Sequence, residues 1–337
     1  MNIFIGLLVI ALGSFGQSSS YVPIKRVKGW SWESFWLTQG VFAWLVFPLL
    51  GALLAVPEGR TLFEIISAKP EAAWSAAGFG VLWGIGGLTF GLSMRYLGVA
   101  LGQSLALGTC AAFGTLFPAI LAGTDLFSGK GLILLLGVCI TLAGIAVIGY
   151  AGSLRSRNLT EEERNAAVKE FALTKGLAVA LLAGVMSACF ALGLNAGVPL
   201  QLEESADLYK TLPATFMVTC GGFLTNAVYC LYQNAKNKTF SDYGKIGLWP
   251  NNLLYCALAG ILWYSQFFGL GIGTSFFEPG SVLMSFAWCI LMSLNVVFSN
   301  VWGILLKEWK GSSSSTIVVL IVGLAVLIFS LIFPNLF

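Results

Sequence analysis

Two tryptophans, a tyrosine and a scatter of side-chain amides are the groups in this sequence best suited to chemistry, and that chemistry is recognition. Gly80-Val81-Leu82-Trp83 returns 180 residues later as Gly260-Ile261-Leu262-Trp263, with Tyr264 and Gln266 close behind the second copy. Gln17, Gln39 and Asn195 lie inside other apolar runs. Amides both donate to and accept from hydroxyls, and flat aromatic faces cover the C–H side of a ring. Singly, each polar group could be interhelical glue worth about 0.6 kcal/mol. As a set they suit a polyhydroxylated ligand such as a sugar. No fixed charge accompanies them, which disfavours a phosphorylated one.

Catalysis is disfavoured by what is missing. With no histidine there is no Ser-His or Cys-His nucleophile and no imidazole metal site, so neither an enzyme nor a metal centre is expected, and no cofactor. The seven cysteines stand singly in apolar runs without a CxxC pair, as small buried hydrophobes do. Most acids fall in polar stretches. Glu278, in SFFEPGSVLMSF, sits at the head of an apolar run with Pro279 placed for a first helical turn. It is either a carboxylate favoured by a helix N-terminus or a carrier of protons. Arg95 ends another run, where it either snorkels to an interface or stands at a cavity mouth.

The elements that must position these groups are membrane helices. The chain is 57% hydrophobic and only 10% charged, against about a quarter charged in globular domains. At about 20 residues per crossing, ten apolar segments are expected, approximately 2–22, 34–55, 72–93, 97–122, 131–151, 175–196, 211–232, 250–271, 279–305 and 314–334. The first reads as a retained helix, since it lacks a basic leader region. Short stretches at 61–68 and 199–210 are either solvated loops or amphipathic turns on the outer surface. In the third segment, Gly80 with Gly84 and Gly87 with Gly91 are spaced four apart on a helix face, which admits another backbone at close range.

The charged stretch 153–174 divides the ten into two fives: a first repeat over 1–152, a linker, and a second repeat over 175–337. Because five is odd, equivalent helices cross in opposite directions. The expected fold is therefore an all-α polytopic membrane protein built as two inverted five-helix repeats, an architecture of secondary transporters. Basic residues set its orientation. Lys25, Arg26, Lys28, Arg95, Arg155, Arg157, Arg164, Lys169, Lys175, Lys236, Lys238, Lys245, Lys307 and Lys310 follow odd segments, 14 in all; Arg60, Lys69, Lys130 and Lys210 follow even ones, 4 in all. The bias places the odd loops in the cytoplasm and both termini outside. Net charge is only +3 and dispersed, so no nucleic-acid partner is expected.

Local motifs add a resemblance. PIKRVKGWSWE at 23–33, WGIG at 83–86, MRYLG at 94–98, Trp263-Tyr264 with Gln266-Phe267-Phe268, and LKEW at 306–309 are similar to the L-rhamnose/proton symporter family of the drug/metabolite transporter superfamily. The likeness covers nearly the whole chain and departs from the family pattern over 274–287. It implies proton-driven uptake of L-rhamnose or a related deoxy-sugar across the bacterial inner membrane by alternating access, with the sugar at the midplane. An exporter of metabolites or drugs on the same fold is the alternative. Within that frame Trp83, Trp263, Tyr264, Gln266, Gln17, Gln39 and Asn195 are candidates for the sugar. Proton coupling falls by elimination to carboxylates, since histidine is absent and tyrosine titrates too high. Glu278 is first and Glu33 of WSWE second.

The charge bias makes a direct prediction. A reporter fused after Phe337 is expected in the periplasm and one inserted near Arg164 in the cytoplasm; the opposite pattern in a topology assay overturns the orientation.

Overall fold

A computed structural model describes residues 2–97, 99–157, 173–307 and 309–336. Among the described residues are ten helices long and apolar enough to cross a membrane: α1 (Ile3–Ile24), α2 (Trp32–Leu53), α3 (Pro70–Met94), α4 (Gly102–Leu121), α5 (Gly129–Arg155), α6 (Thr174–Ala196), α7 (Leu212–Asn237), α8 (Ile246–Thr274), α9 (Val282–Leu305) and α10 (Ser314–Asn335). Their ends carry recognisable local chemistry. Ser31, Ser281 and Ser313 cap helices by accepting from the backbone N–H three residues on, and Pro213 and Pro250 stand in the first turns of their helices.

The stretch 61–68 is a short helix, Leu62–Ala68, closed by a reciprocal capping box between Thr61 and Glu64. In 199–210, by contrast, regular structure is confined to a 3-10 turn ending at Leu200. The head of α9 differs from expectation. Its cap is Ser281, and Glu278 falls three residues earlier, in a turn where Gly280 adopts φ +72. The linker at 153–174 lies largely outside the described residues.

The helices pack as two units, each drawing on both sides of that linker. One comprises Asn2–Gly84 and Leu192–Phe276; the other comprises Ile85–Ala191 and Phe277–Phe337. In the first unit α1 lies along α8, where a Cβ on Gly13 would come within 2.5 Å of the Ser265 carbonyl, and the Ser265 hydroxyl donates to Gly13 O at 2.9 Å. In the same unit α3 lies on α7: a Cβ on Gly80 would collide with the Val218 carbonyl and one on Gly221 with the Ala77 carbonyl, while Thr225 donates to Val81 O at 2.9 Å. Gly260 brings α8 equally close to α2, its Cβ position 2.7 Å from that of Phe42. In the second unit α5, α9 and α10 share an apolar core that includes Ile145, Val296, Leu320 and Leu327.

Only half of the expected glycine face on α3 packs. Gly80 and Gly84 are buried against α7, whereas Gly87 and Gly91 are exposed, with nothing within 4 Å of an added Cβ. Four-residue spacing marks a face, but the turn-by-turn environment decides whether a partner covers it.

That difference is measurable on one helix. Gly80→Ala is expected to destabilise the protein by about 1–3 kcal/mol or more through overpacking against backbone, whereas Gly87→Ala should change stability by less than about 0.5 kcal/mol. Thermal unfolding in detergent reads both; equal effects would show that the α3–α7 approach is not close.

Candidate functional site

The repeated tryptophans meet. Trp83 on α3 and Trp263 on α8 lie 5.7 Å apart between ring centroids, inclined at 39°. A third ring, Trp44 on α2, stands edge-on to both, at 6.1 Å and 88° from Trp83 and at 5.7 Å and 85° from Trp263. Phe267, one turn beyond Trp263, closes on the two at 6.5 and 5.2 Å. Trp36 continues the row, 5.7 Å from Trp44 and 5.4 Å from Trp32, on which it stacks. Each such pair contributes about 0.5–1.5 kcal/mol beyond its buried area. Trp83 and Trp263 nevertheless stay half-buried, leaving part of their surface available.

Trp44 reaches this position through the backbone. Residues Val41–Val46 form a π-helical turn, in which the Phe47 amide bonds to Phe42 O five residues back. The extra residue advances the side chains relative to an α-helix, and the Trp44 ring folds over Gly40, where a Cβ would stand 2.6 Å from Cζ3. Trp44 and Trp36 are functional-site candidates that the repeat did not single out, because neither belongs to the duplicated GxxW context. The aromatic crowding of WSWESFW and FAWLVF was the available signal.

The amides surround this row unevenly. Gln39 is 1% exposed and its Oε1 has no hydrogen-bond partner within the protein. Gln266 is 4% exposed, its Nε2 donating to Trp263 O at 3.2 Å. Tyr264 is buried with its hydroxyl unpaired, and that hydroxyl lies against Gly51 on α2. Gln17 is half-buried on α1 and accepts from the Ser18 hydroxyl at 3.3 Å. Asn195 is exposed in the last turn of α6, not walled in with the tryptophans. Of Arg95 only the helical backbone is described, so its side chain lies outside the described residues.

Among the described residues the buried carboxylates are Glu33 and Asp242. Both belong to one polar knot joining the WSWE motif to the stretch between α7 and α8. Glu33 Oε1 accepts from Asn237 Nδ2 at 3.0 Å and Thr239 Oγ1 at 2.7 Å. Asp242 Oδ2 accepts from Ser31 N at 2.7 Å and Ser34 Oγ at 3.0 Å, while Oδ1 takes Lys245 Nζ at 2.6 Å. Lys245 also donates to Gly29 O at 2.6 Å, a carbonyl presented by the left-handed turn at Gly29, φ +61. Asn252 closes the knot with two bonds to the Lys28 backbone. Burial works against the Asp242 charge, but the bonds from Lys245, Ser31 and Ser34 outweigh it and hold the carboxyl at about 2, below its ordinary 3.8. Glu278, in contrast, is exposed.

Among the described residues no group of three or more His, Cys, Asp or Glu could hold a metal. The cysteines are free thiols, five of them buried. Cys110 packs its sulfur 3.9 Å from that of Met292 beneath Trp288, as a small apolar side chain does.

The family described as L-rhamnose-proton symport protein matches residues 1–335. An L-rhamnose-proton symporter of Yersinia pestis (strain Pestoides F) is 34% identical over 340 residues, covering 97% of this chain and 95% of the relative. One of Yersinia pseudotuberculosis serotype O:1b (strain IP 31758) shows the same identity and coverage.

The knot carries its own prediction. Because the folded carboxyl of Asp242 titrates below its ordinary value, its stabilisation is complete above about pH 5 and is lost as pH falls through its folded value of about 2. Asp242→Asn is expected to lower the melting temperature at pH 7 and to flatten its decline between pH 5 and pH 2. A variant that keeps the wild-type acid profile would show that the knot contributes nothing.

Proposed function

The chain belongs to the L-rhamnose-proton symport family, and from that membership we propose that it takes up L-rhamnose or a related deoxy-sugar together with a proton, across the bacterial inner membrane, by alternating access. The observation that carries the sugar site is the meeting of Trp83 and Trp263 at 5.7 Å, with Trp44 edge-on to both. Indole faces suit the apolar side of a deoxy-sugar, and Gln39 and Gln266 supply amides for its hydroxyls. Gln17 and Tyr264 border this site, and Asn195 belongs to it only if α6 moves.

Inverted repeats are supported by the way the duplicated glycines pack. Gly80 of α3 lies on α7, and Gly260 of α8 lies on α2. If α3 corresponds to α8 and α2 to α7, these are the same contact related by the exchange of the two repeats. The repeats at 1–152 and 175–337 would then interleave in each packing unit, and Trp83 and Trp263 would be symmetry mates facing one ligand. Both termini are periplasmic in this scheme, which puts the polar knot on the cytoplasmic side, and Arg95 at the cytoplasmic mouth.

For coupling, burial favours Glu33. Glu278 is exposed, whereas Glu33 is 6% exposed and its Oε1 holds Asn237 and Thr239, so a proton arriving at Glu33 changes contacts between elements. Protonating Glu33 would remove the charge that strengthens the two hydrogen bonds its Oε1 accepts, loosening α2 from Asn237 and Thr239. Because α2 also carries Gln39 and Trp44, proton and sugar would act on the same helix. That is the linkage a symporter requires.

Uptake of labelled L-rhamnose into vesicles tests the whole scheme. Wild type is expected to concentrate the sugar when an inward proton gradient is imposed; Glu33→Gln should exchange sugar but no longer concentrate it, and Glu278→Gln should concentrate it normally. The reverse pattern for the two variants would make Glu278 the carrier. Efflux without accumulation would make the protein an exporter.

A further inference from the structure

We propose that Trp44 positions the sugar: its indole N–H donates to one hydroxyl while its ring forms the third wall of the tryptophan box. The inference rests on the assignment of the sugar to Trp83 and Trp263, and goes beyond it by naming a donor outside the repeat. Trp44 is 3% exposed, yet its Nε1 has no acceptor within the protein. Three other indoles of this chain have protein acceptors: Trp36 donates to Asn226 Oδ1 at 3.0 Å, Trp249 to Tyr243 O at 2.9 Å and Trp288 to Cys110 O at 3.3 Å. Trp30 shares the lack of an acceptor, its Nε1 buried as well, but its ring packs on Tyr243 and Trp249 in the knot and not on the tryptophans of the site.

A buried donor without an acceptor is costly. Here the backbone is shaped to keep it so, since the π-helical turn Val41–Val46 and the bare Gly40 together admit the ring. Such turns interrupt helices most often where a function needs the side chain re-aimed. Trp36 shows the contrast: on the regular part of α2 it finds a protein acceptor, whereas Trp44, within the π turn, finds two aromatic neighbours of the site instead. A second unsatisfied group, Gln39 Oε1, lies five residues earlier on the same helix. A sugar hydroxyl both donates and accepts, so a sugar offers a partner to either group. A ligand bearing hydroxyls next to an apolar ring face satisfies the donor and covers the indoles at once.

The test measures L-rhamnose binding to the purified full-length chain in detergent by calorimetry, for wild type, Trp44→Phe and Trp263→Ala, with melting temperature as a check on folding. Trp44→Phe keeps a ring and loses the N–H, and is expected to weaken L-rhamnose about 2- to 12-fold, the range set by one lost hydrogen bond. A panel of monodeoxy analogues separates the lost bond from lost contact area. One analogue, lacking the hydroxyl that Trp44 reaches, should bind wild type and Trp44→Phe equally weakly, while the others remain sensitive to the substitution. If Trp44→Phe does not fold, Trp44→Leu, which also lacks a donor, serves the same comparison. Unchanged affinity in Trp44→Phe with affinity lost in Trp263→Ala would overturn the role of Trp44 and leave the sugar site standing. Loss shared by every deoxy analogue would reduce Trp44 to a packing wall and also overturn the proposal. Unchanged affinity in both variants would remove the sugar site itself.

Discussion

Close approach of helix backbones at glycine is the interaction on which the rest of this structure depends. In a bilayer the hydrophobic effect does not draw helices together, since lipid tails are as apolar as leucine, so association relies on van der Waals contact at short range. Gly13 against Ser265, Gly80 against Val218, Gly221 against Ala77 and Gly260 against Phe42 bring α1, α2, α3, α7 and α8 to distances that no side chain would allow. Only at that spacing can the indoles of three different helices meet. The helix propensity sacrificed at each glycine, about 1 kcal/mol in water, matters less where the backbone has no other hydrogen-bonding partner.

Around that frame the first packing unit separates two kinds of polar chemistry. The aromatic row holds polar atoms without protein partners, Trp44 Nε1 and Gln39 Oε1 among them. The knot formed by WSWE with the end of α7 and the residues after it is the opposite: Ser34 bonds to Asn234 and Asp242, and Thr239 bridges Asn234 and Glu33, which also takes Asn237. Unsatisfied groups cost stability and are tolerated where a ligand can meet them; saturated networks hold elements in register. The first turn of α2 belongs to the knot and its fourth to the aromatic row, so one helix carries both. The second unit packs on an apolar core that includes Ile145, Val296 and Leu327.

The membrane class, the ten helices and their approximate bounds were legible because they depend on composition and length alone. The pairing of Trp83 with Trp263 was legible too, through the duplication that carries them. Glu278 was not. Sequence places it beside Pro279 at the head of an apolar run, and a helix beginning there would have enclosed it; instead Ser281 captures the Met284 amide and starts α9 later, leaving Glu278 in an exposed turn. Competing caps three residues apart cannot be ranked without knowing what covers each. Gly87 and Gly91 repeat the lesson, since their spacing matches that of Gly80 and Gly84 but no partner arrives.

What the sequence by itself determined is what one-dimensional patterns encode: how many times the chain crosses, where polar residues interrupt apolar runs, which motifs match the family, and the charge asymmetry of the loops. Tertiary structure alone decided which of those residues meet. Glu33 is buried because Asn237 and Thr239, over 200 positions away in the chain, close over it. Trp44 enters the tryptophan box because six residues of α2 adopt a π turn that a period of 3.6 does not anticipate. Burial and side-chain direction are properties of the neighbours as much as of the residue, and the neighbours are supplied by distant parts of the chain.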